Sequence, residues 1–234
     1  MKVVYCAFNK YNYLEEAFIS IESLRKIGKF NDKIYLVTNL NVNQQVIKNF
    51  DLHIIYTNKF KSLQLSAGAR LKIPELISLE EDEICMYIDT DIVILKELPI
   101  FEVKEKFLVY GYPKRTQEDK SFAGLLTNNQ DIINQPSINT GILIFRNSKI
   151  NRKILLDSWE YYFSDISNNV KISEKWEQPY LCFKLCEYKN YEHTLNEFVG
   201  EERYPETINK NTVFNHFCTL RGKNRRNLMI RYLK

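Results

Sequence analysis

The 234-residue chain is short of the residues that break or staple a fold. It has only 7 Gly and 6 Pro, against 44% hydrophobic and 13% aromatic residues. That excludes a collagen-like, linker or disordered protein and leaves enough apolar surface to build a core. Its 5 cysteines are an odd number without a CxxC pair, which does not suggest a disulfide framework. They read as reduced, mostly buried thiols in a reducing compartment, with Cys182 and Cys186 packed on one helix face. No window holds the roughly 18 unbroken apolar residues of a membrane-crossing helix. The start, MKVVYCAF, has one early lysine but no apolar run long enough for a signal peptide, so the expectation is a cytoplasmic protein.

An excess of charge is also missing. The formal net charge is +4, from 33 basic and 29 acidic residues. Six of the bases (Arg221, Lys223, Arg225, Arg226, Arg231 and Lys234) lie in the last 14 residues, which hold no acid. The first 220 residues thus carry 27 bases against 29 acids, a net of −2. An extended basic groove for nucleic acid is excluded on this balance, and Arg225-Arg226 lacks interleaved aromatics.

What is present is alternation. The runs 3–8, 33–38, 52–57, 107–112, 141–146 and 212–217 are β-rich and bounded by polar residues, and 83–95 is the most apolar of all. Between the first two, Leu14, Ala17, Phe18, Ile21, Leu24 and Ile27 keep helical spacing, and Gly28 supplies a stop. Further helices are expected over 65–79, interrupted near Pro74, and in KILLDSWEYYF and WEQPYLCFKLCEY. This is the pattern of one α/β domain, residues 1–234, with a largely parallel sheet flanked by helices.

The chemistry-bearing feature is Asp89-Thr90-Asp91, where the apolar strand runs out. Open α/β sheets bind ligands outside the carboxyl ends of their strands. Two carboxylates here, with no basic residue between positions 73 and 95, repel each other, and a hard divalent cation resolves that repulsion. Two enzyme classes place such a pair after a strand: phosphatases with an aspartate nucleophile, and nucleotide-sugar glycosyltransferases. The phosphatases also need a later lysine and an acidic pair after a strand, and the only later pair outside a predicted helix, Glu201-Glu202, follows no apolar run.

Four further segments narrow the choice: Arg70-Leu71-Lys72-Ile73-Pro74-Glu75-Leu76, Asn139-Thr140-Gly141 opening a strand, Glu177-Gln178 opening a helix, and Asn215-His216-Phe217. In this order the set resembles glycosyltransferase family 8, the glycogenin and lipooligosaccharide galactosyltransferase group, from the first strand to about residue 223. The resemblance implies a single GT-A type domain and a retaining, metal-dependent transfer of a hexose from a UDP-sugar to a glycan, lipid-linked or protein acceptor. It implies that Asp89, Asp91 and His216 bind Mn²⁺ or Mg²⁺, with Thr90 between the aspartates facing the donor. Ala7, Phe8, Asn9 and Tyr13 would grip the uridine, Arg70 the donor phosphates, and Asn139, Thr140 and Gly141 the donor sugar. Glu177 and Gln178 would stand beside the anomeric carbon as the catalytic pair.

Two departures from the family pattern stand out. Glu replaces Asp at 177 with Pro179 close behind, and the last motif is degraded, leaving Lys223, or else Arg221, as the phosphate-binding cation. The rest of the tail, 225–234, mixes bases with Leu228, Met229 and Ile230. It suits a peripheral contact with anionic lipid at the membrane inner face, and equally a helix packed on the domain. A nucleotide-sugar or carbohydrate-binding protein without catalysis is the alternative from outside enzymology.

Overall fold

The computed structural model describes residues 1–111, 126–172, 175–218, 220 and 222–233. The chain opens with β1 (Lys2–Ala7), α1 (Tyr11–Lys26), β2 (Ile34–Thr38), α2 (Gln44–Phe50) and β3 (Leu52–Tyr56). Then come α3 (Leu63–Ala67), a 3-10 turn (Gly68–Lys72), α4 (Ile73–Leu76), β4 (Ile84–Ile88) and β5 (Ile92–Ile94). The second half holds β6 (Phe107–Tyr110), α5 (Gln130–Ile133), β7 (Asn139–Arg146), α6 (Lys149–Ser167) and α7 (Gln178–Tyr188). It ends with β8 (Tyr191–Glu192), β9 (Val199–Glu201), β10 (Phe214–His216) and α8 (Gly222–Arg231).

Seven strands form the central sheet in the order β3-β2-β1-β4-β7-β6-β8, and a small sheet has the order β5-β10-β9. In the large sheet β7 alone runs against its neighbours. The strands alternate because both faces are covered. Val3, Tyr5, Ala7, Leu36, Met86 and Ile88 pack toward α1, where Leu14, Ala17, Ile21 and Leu24 are buried. Val4, Val37, Cys85, Tyr87, Leu143 and Phe145 pack toward Ile154 and Leu155 of α6 and Leu181 and Leu185 of α7. All five cysteines are free thiols, and Cys182 donates to the Ile138 carbonyl from within this second core.

Three local differences from the sequence reading matter. The apolar run 83–95 is two strands in two sheets, with Asp89 and Asp91 in the bend between them. The helix expected over 65–79 is broken into α3, the turn and α4. Trp159 and Tyr162 of α6 press so closely on Gly68 that an added Cβ would lie 2.8 and 2.9 Å from them. Pro74 then starts α4, where its missing N–H costs nothing. Glu201 is the last residue of a three-residue strand, β9, which the sequence reading did not place.

Candidate active site

Two registers assemble the site at the carboxyl end of β4. Antiparallel pairing of Ile88 with Ile142 sets the start of β7 beside the aspartates, and the Asp89 N–H donates to the Gly141 carbonyl at 2.7 Å. In the small sheet His216 pairs with Ile92, and the Phe217 N–H donates to the Asp91 carbonyl at 2.9 Å. Residues far apart in sequence therefore meet: one ligand atom each from Asp89, Asp91 and His216 lie within 4.8 Å of one another.

His216 is 3% exposed. Its Nδ1 shares a 2.5 Å hydrogen bond with the Tyr110 hydroxyl, and its Nε2 lies 3.3 Å from Asp91 Oδ1. Holding one ring nitrogen on a neighbour fixes the direction of the other, as a metal-ligating histidine requires. Burial works against charging this imidazole, but Asp91 beside it raises its pKa overall. Burial likewise pushes Asp91 up, yet His216 and Arg225 outweigh it and bring its carboxyl down to about 2.

Each aspartate has its own arginine, which the gap in basic residues between 73 and 95 concealed. Arg70, on the 3-10 turn, places Nη2 2.9 Å from Asp89 Oδ1 and Nη1 3.3 Å from Oδ2. The same Nη1 donates to the Thr140 carbonyl at 2.7 Å, and the guanidinium lies over the Tyr87 ring at 4.6 Å. Arg225, from α8, donates to Asp91 Oδ2 at 2.7 Å and stands 3.3 Å from Glu16 Oε2 on α1. Arg226 pairs with Glu15 at 2.9 Å, and Met229 is buried, so α8 packs on the domain. Ile230 and Arg231 of that helix are exposed.

The expected catalytic pair divides. Glu177 is 2% exposed. Its Oε1 accepts from the Thr140 hydroxyl at 3.2 Å and lies 3.1 Å from Arg70 Nε, an ion-pair contact without an aligned hydrogen bond. Burial lifts its carboxyl to about 7, with Arg70 opposing and Asp89 assisting. Gln178 is half-buried, and among the described residues its Oε1 is met only at long range, by the Thr140 N–H 3.5 Å away.

The remaining expected residues fall around this centre in different states. Ala7 and Phe8 are buried at the end of β1, and Thr90 is buried between the aspartates. Asn9 adopts a left-handed φ of 66° and ties three loops: its backbone N–H donates to Asn39 Oδ1, its side-chain oxygen accepts from Asn39 Nδ2, and its side-chain nitrogen donates to the Phe60 carbonyl. Tyr13 is half-buried against the first core, with Lys10 Nζ 5.9 Å from its ring centre. Asn139 Oδ1 accepts from the Gly141 N–H at 2.9 Å. Gly141 is needed for space: a Cβ there would lie 2.9 Å from His216 Cε1 and 3.0 Å from the Tyr110 hydroxyl. Lys223 is exposed at the start of α8 and forms no ion pair among the described residues; Arg221, Lys234 and residues 112–125 lie outside the described residues. Sequence reasoning missed Glu16, Tyr87, Tyr110, Glu201 and the inward role of Arg225, because their partners are set by topology alone.

Five carboxyls around the site (Asp89, Asp91, Glu16, Glu177 and Glu201) face three guanidiniums, of Arg70, Arg203 and Arg225. Burial is the main cause that raises Glu16 and Glu177 to about 7, which eases that shortfall of positive charge. A divalent cation on Asp89, Asp91 and His216 would meet it instead, so the residues present fit a hard or borderline metal.

No family profile matches the sequence, and no characterised protein matches it by sequence. Solved structures do match the fold. The galactosyltransferase LgtC, in complex with donor and acceptor sugar analogues, superposes with a TM-score of 0.69 at 12% identity, covering 99% of this chain and 95% of that one. An active-site mutant of LgtC with glutamate in place of glutamine gives 0.67 at 15% identity, with coverage of 99% and 95%. The bifunctional glycosyltransferase WbbM gives 0.62 at 13% identity, with all of this chain spanning 49% of that one. The mixed sheet with helices on both faces thus has the GT-A fold of these glycosyltransferases.

Proposed function

We propose that the protein is a retaining, metal-dependent glycosyltransferase that moves a hexose from a UDP-sugar to a glycan, glycolipid or protein acceptor. The observation that carries this reading is the convergence of Arg70, Asp89, Asp91, Thr140, Gln178 and His216, from separate elements, on one spot at the carboxyl end of β4. The donor and acceptor analogues held by LgtC support the same substrate classes for this chain.

Asp89, Asp91 and His216 would hold Mn²⁺ or Mg²⁺, which when bound supplies positive charge for the diphosphate leaving group. The chain's own part is arrangement. Arg70 fixes both oxygens of Asp89 and the Thr140 backbone, so the aspartate, the start of β7 and the α7 N-terminus keep one geometry. Glu177 anchors that N-terminus through Thr140 and Arg70, which makes it a positioning residue. Gln178, whose amide oxygen is held only weakly by the Thr140 N–H at 3.5 Å among the described residues, would face the positive charge that develops on the anomeric carbon. That LgtC has an active-site glutamine, changed to glutamate in one of its structures, supports this role for Gln178. Ala7, Phe8 and Tyr13 border the uridine end, with Asn9 shaping the loops around it. Asn139 and Thr140 border the sugar. Lys223 and a membrane face are left to α8's exposed side, where Ile230 and Arg231 point outward. No helix among the described residues is long and apolar enough to cross a membrane.

The test is release of UDP from a panel of UDP-sugars with and without Mn²⁺, alongside thermal shifts of the same mixtures. Mn²⁺-dependent release that is lost in Asp91→Asn is expected. Full activity in that variant, or a panel with neither release nor shift, refutes the assignment.

A further inference from the structure

His216 also belongs to a second cluster, one that the proposed transfer chemistry leaves unused. Parallel pairing of β10 with β9 sets Glu201 opposite His216, and Cys218 follows two residues on. One ligand atom from each of Glu201, His216 and Cys218 lies within 4.8 Å of the others, and Cys218 Sγ is 3.7 Å from Glu201 Oε2. Glu201 is 1% exposed. Arg203 Nε holds its Oε2 at 2.6 Å, while its Oε1 is buried and meets no hydrogen-bond partner among the described residues. A buried carboxylate oxygen left without a partner is costly, so an open acceptor beside an imidazole and a thiol marks a place for a ligand.

The donor set names the ligand's class. Sulfur, nitrogen and oxygen from one Cys, one His and one Glu suit tetrahedral Zn²⁺ with an open fourth position, whereas Mg²⁺ and Mn²⁺ favour oxygen-rich sites. We propose that Glu201, His216 and Cys218 form a second cation site, selective for thiophilic cations of the zinc class, that shares His216 with the aspartate pair. On binding, the Cys218 S–H bond breaks, a sulfur–metal bond forms and the proton passes to solvent. Arg203 orients Glu201 by holding its other oxygen, as outer partners of metal-ligating carboxylates do. One nitrogen of His216 is already on Tyr110, so the ring has a single nitrogen to give. A zinc-class cation on the Glu201 side therefore takes His216 away from Asp89 and Asp91, and it would inhibit Mn²⁺-supported transfer. Only that last consequence rests on the proposed function.

The experiment is titration of the full chain with Cd²⁺, reading the ultraviolet sulfur-to-metal charge-transfer absorption, and in parallel the Zn²⁺ inhibition of UDP release. One equivalent of Cd²⁺ should produce the band in the native chain and in Asp91→Asn. Cys218→Ser should lose the band and need about tenfold more Zn²⁺, or higher still, for half-inhibition of its own rate. Glu201→Gln, checked for folding by circular dichroism, should keep the thiol but weaken Cd²⁺ binding by about tenfold or more. A band that persists in Cys218→Ser, or that vanishes in Cys6→Ser instead, overturns the site. A missing band with UDP release intact overturns it alone, and a band without any release leaves it standing while the transferase reading falls.

Discussion

Gly141 separates two accounts of the same motif. The family resemblance gives it the role of admitting the donor sugar to the backbone. The structure fills its space from within: a Cβ at 141 would lie 2.9 Å from His216 Cε1, 3.0 Å from the Tyr110 hydroxyl and 3.1 Å from Asn139 Oδ1. Real Cβ atoms essentially never come under 3.0 Å, and ordinary contact begins at 3.4 Å. In Gly141→Ala the His216 ring must therefore move by about half an ångström, pulling on its hydrogen bond to Tyr110 or turning its Nε2 away from Asp91. Overpacking of this kind costs about 1–3 kcal/mol of stability. Disturbing the partner that orients a metal-ligating histidine typically weakens metal binding by ~10–100-fold. The assay is Mn²⁺ affinity from the electron paramagnetic resonance of free Mn²⁺, with the donor KM measured at saturating metal. The expected result is a large loss of Mn²⁺ affinity and little change in that KM. An unchanged Mn²⁺ affinity with a raised donor KM would mean that the alanine meets the sugar and not the histidine, and the steric reasoning would be refuted.

Two other predictions concern charge. Glu177 has a pKa raised from its ordinary 4.5 to about 7 by burial, so between those values the folded chain holds a proton that the unfolded chain has lost. Metal-free stability should therefore fall as pH rises through that window, by about 3 kcal/mol in full, and Glu177→Gln should flatten the fall in urea denaturation series at several pH values. A native chain whose metal-free stability is level from pH 4.5 to 7 would count against a buried, protonated Glu177. Arg225 puts a positive charge 2.7 Å from an oxygen of a proposed metal ligand. Arg225→Met should tighten Mn²⁺ binding by about tenfold; weaker binding would show that Arg225 orients Asp91 more than it competes for it.

The parts legible in the sequence are those that depend on neighbours along the chain. Runs such as VVYCAF and KIYLVT announce strands by composition, and an aspartate pair at the end of an apolar run announces a ligand site whatever surrounds it. α2 escaped notice because none of its residues is buried, so it has no apolar periodicity to see. The run 83–95 looked like one strand because β4 and β5 are both buried, while the change of sheet is made by the bend at Thr90 and by pairing with β10, more than a hundred residues later. Arg70 was legible from its motif, but its fork onto Asp89 and the Thr140 carbonyl was not, since that depends on β7 lying antiparallel to β4.

The same reasoning revises the argument for a metal. From sequence alone, two aspartates without a nearby base called for a cation. In the fold each has an arginine, brought from 19 residues before Asp89 and 134 after Asp91. Repulsion between the two carboxylates is therefore no longer the reason to expect Mn²⁺. The stronger reason is the wider balance: five carboxyls face three guanidiniums, and burial has already raised two of them, Glu16 and Glu177, to about 7. That balance also explains the uneven charge of the chain. The acid-rich body and the basic tail are two sides of one site, because Arg225 and Arg226 lie against Glu16, Asp91 and Glu15. With Arg225 facing inward in this way, α8 is coupled to the occupancy of the aspartate pair, since a cation arriving at Asp91 leaves Glu16 as the remaining partner of Arg225.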